Sequence, residues 1–166
     1  MALRTPTLDA EDVKVRYGVA LQQLADAEEV VEVPGIGERG PRKLSRQALA
    51  DVIEPRVSEL FELIQSELRR SGYEELLSSG IVLTGGSAVM RGMVELGEEI
   101  FHMPVRLGMP KYAGSLSEVV QHPRYATAMG LLLEGMAQKK RGIQAHRTRT
   151  FKQVLGNMKS WFEKNF

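Results

Sequence analysis

Residues Gly80–Gly92 read GIVLTGGSAVMRG. Ile81, Val82 and Leu83 make a short apolar run bounded by turn residues, which predicts a buried strand. Thr84-Gly85-Gly86-Ser87 follows at once. A segment with helical spacing comes next, with Met90, Met93, Val94, Gly97, Ile100 and Phe101 on its inward side. Adjacent glycines at a strand-to-helix junction have a mechanical use. They allow positive φ and let a ligand approach with no Cβ in the way, while a helix N-terminus offers free N–H groups. A nucleotide's ribose or phosphates fit such a place. A tight βα turn with no ligand satisfies the same residues, and the stretch matches neither G-x-G-x-x-G nor G-x-x-x-x-G-K-[ST].

Outward from this stretch, the chain reads as strands and helices in alternation. Upstream, Asp9 is placed to cap a short helix, AEDVKVRY, that Gly18 ends. EVVEVP is β-rich and stops at Pro34, and GIGERGP is a turn or loop. Ser45 caps the next helix, within which Pro55 introduces a kink or a fresh start. Val57, Leu60, Phe61, Ile64 and Leu68 keep helical spacing up to Gly72. Downstream, PVRLG is a second short strand, SLSEVV a turn or two of helix, and PRYATAMGLLLEGMAQKK a helix. The pattern predicts an α/β architecture, with too few strands for a complete doubly wound sheet.

Composition narrows the function. The 166 residues are 43% hydrophobic, enough for one or two small domains with a core. No apolar run approaches the length of a membrane span, and MALRTPTLDAED lacks a signal-peptide core. Without cysteine, neither a disulfide framework nor a thiolate metal site is possible, which fits a reducing cytosol. His102, His122 and His146 stand far apart without ligand spacing, so a zinc site is not expected. No G-x-S-x-G elbow is present, and Glu28-Glu29 and Glu98-Glu99 read as solvated faces. We therefore expect no catalytic residues and no bound metal.

Charge is divided unevenly. Of 22 Lys+Arg and 21 Asp+Glu, residues 139–166 hold eight bases and a single acid, Glu163, leaving fourteen bases and twenty acids before them. An acidic body with a basic tail points to an anionic partner, a membrane surface or nucleic acid. Residues 141–150, RGIQAHRTRT, are basic, polar and without periodicity, as a linker is.

On a helix, Phe151, Val154, Leu155, Met158, Trp161, Phe162 and Phe166 fall within an arc of about 140°. Lysines and other polar residues fill the remainder, and only Asn165 interrupts the apolar face. Such a helix is about 24 Å long and lies flat in a headgroup region instead of spanning. Trp161 suits an interface, with its ring among acyl chains and its N–H near headgroups. Helices of this kind also serve as core elements docked on their own domain. Nucleic acid is a poorer partner, because the aromatics lie opposite most of the charges instead of among them.

One further local pattern is Ala10-Glu11-Asp12-Val13-Lys14. Glu11 and Lys14, at i and i+3, share a helix face. They can contact a ribose and a purine, or form nothing more than a solvated ion pair. Taken together and in order, AEDVKVRYGVAL, QALADVIEPRVSEL, GIVLTGGSAVMRGM, FHMPVRLGMP and HPRYATAMGLLL resemble the C-terminal portion of FtsA, the bacterial cell-division actin homologue. The closing MKSWFEKNF resembles that family's membrane-targeting tail. The resemblance covers roughly residues 5–135 and 150–166.

The resemblance implies the second half of an actin-like ATPase fold, with a small inserted subdomain at about residues 15–75. Residues 1–138 would form this half, 139–150 a basic linker and 151–166 the amphipathic membrane helix. It implies ATP with Mg2+ as the family's cofactor. Gly85, Gly86 and Ser87 would form the adenosine-side loop, and Glu11 and Lys14 would contact ribose and base. It implies a tether between the tubulin-like FtsZ and anionic lipids of the inner membrane, on the cytoplasmic face at the division site. Arg56, in the EPR triplet, is the candidate contact for the FtsZ C-terminal tail. Self-association and other division proteins are further implied partners; nucleic acid is not. Actin-like ATPases also need a D-x-G phosphate loop in their first half. None of Asp9, Asp12, Asp26 and Asp51 precedes x-Gly, so the first half is expected to be missing, nucleotide affinity weak and hydrolysis negligible. Competing readings are half of an actin-like ATPase or sugar-kinase-type phosphotransferase, or a non-functional fragment.

Overall fold

The computed structural model describes residues 3–37, 39–111 and 117–141. The amphipathic segment 151–166, and with it Phe151, Val154, Leu155, Met158, Trp161 and Phe162, lies outside the described residues, as does most of the linker. The chain divides into two compact units, Met1–Thr127 and Ala128–Phe166.

Helix α1 spans Thr7–Tyr17. Its N-cap is Pro6, and no side chain caps it. The expected Asp9 cap is therefore corrected: Pro6 sets the entry, its carbonyl accepts the Ala10 N–H at 2.9 Å, and Asp9 lies inside the first turn. There its charge faces the positive end of the helix dipole. Gly18 ends the helix as expected, its N–H donating to the Lys14 carbonyl.

Strands β1, Val30–Val33, and β2, Arg42–Ser45, form an antiparallel hairpin with Val31 opposite Leu44. Val31 and Val33 are buried while Val30 and Glu32 are exposed, the alternation of a sheet with one wet face. Helix α2 then runs unbroken over Arg46–Ser71. Ser45 caps it, its hydroxyl accepting the Ala48 N–H at 3.1 Å. Gly72 closes it in the left-handed conformation. Pro55 does not start a new helix. It removes one N–H, but both Pro55 and Asp51, whose carbonyl loses its partner, are exposed to water. Packing on either side holds the helix together. Leu49 joins Val13, Val31 and Val33 in one apolar cluster. Phe61 joins Ala20, Leu21, Met93, Leu96, Phe101 and Val105 in another.

That second cluster is the core of a βαβ unit: β3, Ile81–Leu83; α3, Met93–Phe101; and β4, Val105–Leu107, parallel to β3. Val82 is 48% exposed and its neighbours are half-buried, so β3 is a strand but not the buried one expected. Its sheet has two strands among the described residues, which leaves part of the surface uncovered. Helix α4, Ser117–Val120, and α5, Ala126–Lys140, complete the elements. Within Met1–Thr127, a short 3-10 turn, Pro123–Tyr125, precedes α5.

Candidate functional site

The two glycines do not abut a helix. Gly86 leads into a 3-10 turn, Ser87–Val89, and α3 starts only at Met93. Buried Ala88 anchors the turn. Gly92, at φ +88°, reverses the chain into α3; a Cβ there would stand 2.8 Å from the Leu21 backbone nitrogen. The loop therefore offers a tight, open bend instead of a helix dipole. Gly85 has φ +101° with nothing near the place of a Cβ, a conformation that disfavours any side chain.

This bend sits at the carboxyl ends of β3 and β4, where open α/β sheets bind ligands. The Gly108 N–H donates to the Leu83 carbonyl at 2.7 Å, and Thr84 Oγ1 donates to the Gly108 carbonyl at 3.0 Å. The Gly85 N–H donates to the Pro123 carbonyl at 3.2 Å. Three chain segments thus meet at the double glycine.

A cleft of about 600 Å³ opens beside it, lined by α1, the start of α2, the 3-10 turn and Arg124. Glu11, Lys14, Gly86 and Ser87 all line it. The sequence-predicted residues are therefore brought together from positions more than seventy residues apart. Gly85 is the adjoining residue of the loop. Lys14 Nζ lies 2.6 Å from Glu11 Oε2, so the pair is closed on itself as well as facing the cleft. Arg56 is elsewhere: it sits on α2, 77% exposed, with Nη1 2.6 Å from Glu59 Oε2. Leu60 and Ile64, one and two turns on, are exposed beside it.

Sequence reasoning missed the arginines. Arg16, Arg46, Arg91 and Arg124 also line the cleft. Arg16 pairs with Asp12 at 3.0 Å. Arg46 spans elements, its Nη1 2.6 Å from Glu29 Oε2 and its Nε donating to the Tyr17 carbonyl at 3.0 Å. Arg91 and Arg124 form no ion pair among the described residues. With Lys14 they leave the cleft strongly positive against the single carboxylate of Glu11. Arg16, Arg91 and Arg124 fall within the first, third and fifth resembling stretches and Arg46 just before the second, yet no local pattern marks any of them as lining a cleft.

The cleft suits part of the cofactor that the resemblance implies. A carboxylate, an ammonium, a hydroxyl and a Cβ-free loop fit the adenosine portion of ATP. The metal-bearing portion is not provided for. Among the described residues there is no group of three or more His, Asp or Glu that could hold a metal, and Glu11 is already engaged by Lys14.

The crystal structure of MreB5 of Spiroplasma citri bound to ADP is similar, with a TM-score of 0.56 and 19% identity, covering 82% of this chain and 40% of that one. The fold is thus part of an actin-like ATPase fold. The family model of cell division protein FtsA matches residues 1–130. The FtsA of Pseudomonas aeruginosa is 53% identical over 100% of this chain, that of Neisseria meningitidis 41% over 99%, and that of Escherichia coli K12 40% over 99%. The chain belongs to the FtsA family. It spans 42%, 41% and 42% of the length of these three relatives.

Proposed function

We propose that the chain acts in cell division as a membrane adaptor, tethering FtsZ to the inner membrane through residues 151–166. The observation that carries this is similarity to division-protein relatives over the full 166 residues, closing segment included. The apolar arc of that segment and its flanking lysines give the physical means. Partial burial of six or seven apolar side chains yields several kcal/mol at ~1 kcal/mol each, and each lysine near an anionic leaflet adds about 1 kcal/mol. Arg56 and the exposed Leu60 and Ile64 offer a cation beside apolar surface for an acidic peptide, here the FtsZ C-terminal tail. The proposed location is the cytoplasmic face of the inner membrane at the division site.

The cleft's proposed ligand is an adenine nucleotide. Glu11 and Lys14 orient the ribose and base, and Gly85, Gly86 and Ser87 admit the backbone close to them. No residue of the chain is assigned a catalytic role. Bound nucleotide brings phosphates and their Mg2+, and the cleft's own contribution is to hold and orient the adenosine end.

Flotation with anionic vesicles tests the anchor. The intact chain floats; a chain ending at Lys140 stays in solution. Trp161→Glu places a charge in the apolar arc and abolishes flotation. Normal flotation of that variant refutes the anchor. Titration with a labelled FtsZ C-terminal peptide tests the tether: saturable binding, weakened by Arg56→Glu, is expected, and no binding by a chain with native circular dichroism removes it.

A further inference from the structure

We infer that the hollow between the N-terminal segment and the β1–β2 loop is an anion site, holding a phosphate monoester between Arg4 and Arg39 with its organic part against Ile36. It shares no lining residue with the cleft beside the double glycine. Arg4, Ile36 and Arg39 line a hollow of about 380 Å³, so two guanidiniums meet there from opposite ends of the β1 region. None of Arg4, Arg39 and Arg42 forms an ion pair among the described residues. Arg42 is exposed and stands opposite Val33, the last pair of the hairpin before its loop, so a third positive charge sits at the same end. Lys43, by contrast, stands opposite Glu32.

The chain holds both arginines where they are. Leu3 packs on the cluster of Val13, Val31, Val33 and Leu49. Thr5 is 4% exposed, and its Oγ1 donates to the Pro34 carbonyl at 2.6 Å. Arg4 is pinned between these two anchors at φ +43°, a left-handed conformation that residues with a Cβ rarely adopt. Such strain persists where the surroundings over-determine it, and it collects at ligand clamps. Across the hollow, Gly35 lets the loop fold back on itself. A Cβ there would collide with the carbonyl oxygens of Arg39 and Gly40. That reversal sets Arg39 beside Ile36. Like charges held together repel, and an anion between them relieves the repulsion. A carboxylate has two oxygens and saturates one guanidinium fork; a phosphate monoester has three and serves both. Ile36 is 45% exposed and gives the ester's carbon chain an apolar wall. Glu38, the acid nearest in the chain, lies outside the described residues and is the competing internal anion.

The test is an NMR titration of the full chain, at constant ionic strength, with glycerol 3-phosphate and, separately, with dihexanoylphosphatidic acid below its micelle concentration. Both are phosphate monoesters; the first is a soluble metabolite type and the second a lipid headgroup. At least one is expected to shift the amides of Arg4, Ile36 and Arg39 saturably, and the tighter of the two names the source. Arg4→Ala and Arg39→Ala each weaken that ligand by about tenfold or more. Arg106→Ala, which removes an exposed charge from β4, leaves it unchanged. Thr5→Val weakens binding and Thr5→Ser does not, because the hydroxyl anchor positions Arg4. Equal shifts with acetate mean charge screening alone and overturn the proposal. The absence of saturable shifts with either ester, or full affinity in both arginine variants, does the same. Binding that emerges only in Glu38→Gln shows the chain's own carboxylate filling the hollow, which also overturns it. Amide dispersion reports folding in every variant.

Discussion

Phe61 and Leu60 are neighbours on α2 with opposite fates. Phe61 is 2% exposed and stacks at a tilt on Phe101, centroids 5.2 Å apart, whereas Leu60 is 52% exposed. Phe61→Ala removes a ring from the centre of the larger cluster. The expected loss is about 3–5 kcal/mol, with about 0.5–1.5 kcal/mol of it from the aromatic pair. Leu60→Ala removes a side chain already half in water, at about 1 kcal/mol or less. Total stability for a domain of this size is about 5–15 kcal/mol, so the first variant loses much of it and the second little. Urea unfolding followed by circular dichroism at 222 nm separates them. With a slope near 2 kcal/mol/M, Phe61→Ala moves the midpoint down by about 2 M and Leu60→Ala by about 0.5 M or less. Equal midpoints for the two variants, or a Phe61→Ala midpoint within error of the unaltered chain, would refute the packing described for α2.

Gly92→Ala forces a side chain to φ +88° and against the Leu21 backbone; more than about 2 kcal/mol is lost in the same assay. Ser45→Ala removes the α2 cap and costs about 1 kcal/mol, recovered largely by Ser45→Asp. Glu11→Gln changes stability by less than about 0.5 kcal/mol, because its ion pair with Lys14 is exposed, yet weakens ADP in NMR titration. The Arg70 guanidinium holds the Glu67 carboxyl below its usual range; carbon-detected titration shows it ionising at lower pH than in Arg70→Ala.

Features governed by short-range chemistry were legible in the sequence. Ser45 and Gly72 mark the ends of α2 because caps depend on a few neighbouring residues. Val30–Val33 and Val105–Leu107 read as strands from composition. Strand β2 was not legible: Arg42-Lys43-Leu44-Ser45 has no apolar alternation and is extended because it pairs with β1. Pro55 argued for a break, and tertiary packing on both sides outweighed it. The site divides the same way. Glu11 with Lys14, and Gly86 with Ser87, carry local patterns and do line one cleft. Arg91 lies four residues beyond Ser87 in the same stretch, whereas Arg46 and Arg124 arrive from distant segments, and nothing near those two in the chain announces a shared destination.

The unbroken α2 has a thermodynamic consequence. Twenty-six residues in one rod share a single backbone ladder between the β-hairpin cluster and the βαβ cluster. Frayed hairpin strands expose the rod's first turns, and a loosened Phe61 releases its middle. With the rung missing at Pro55 between them, amide protons around Leu49 and around Phe61 will exchange through separate opening events, each following its own cluster.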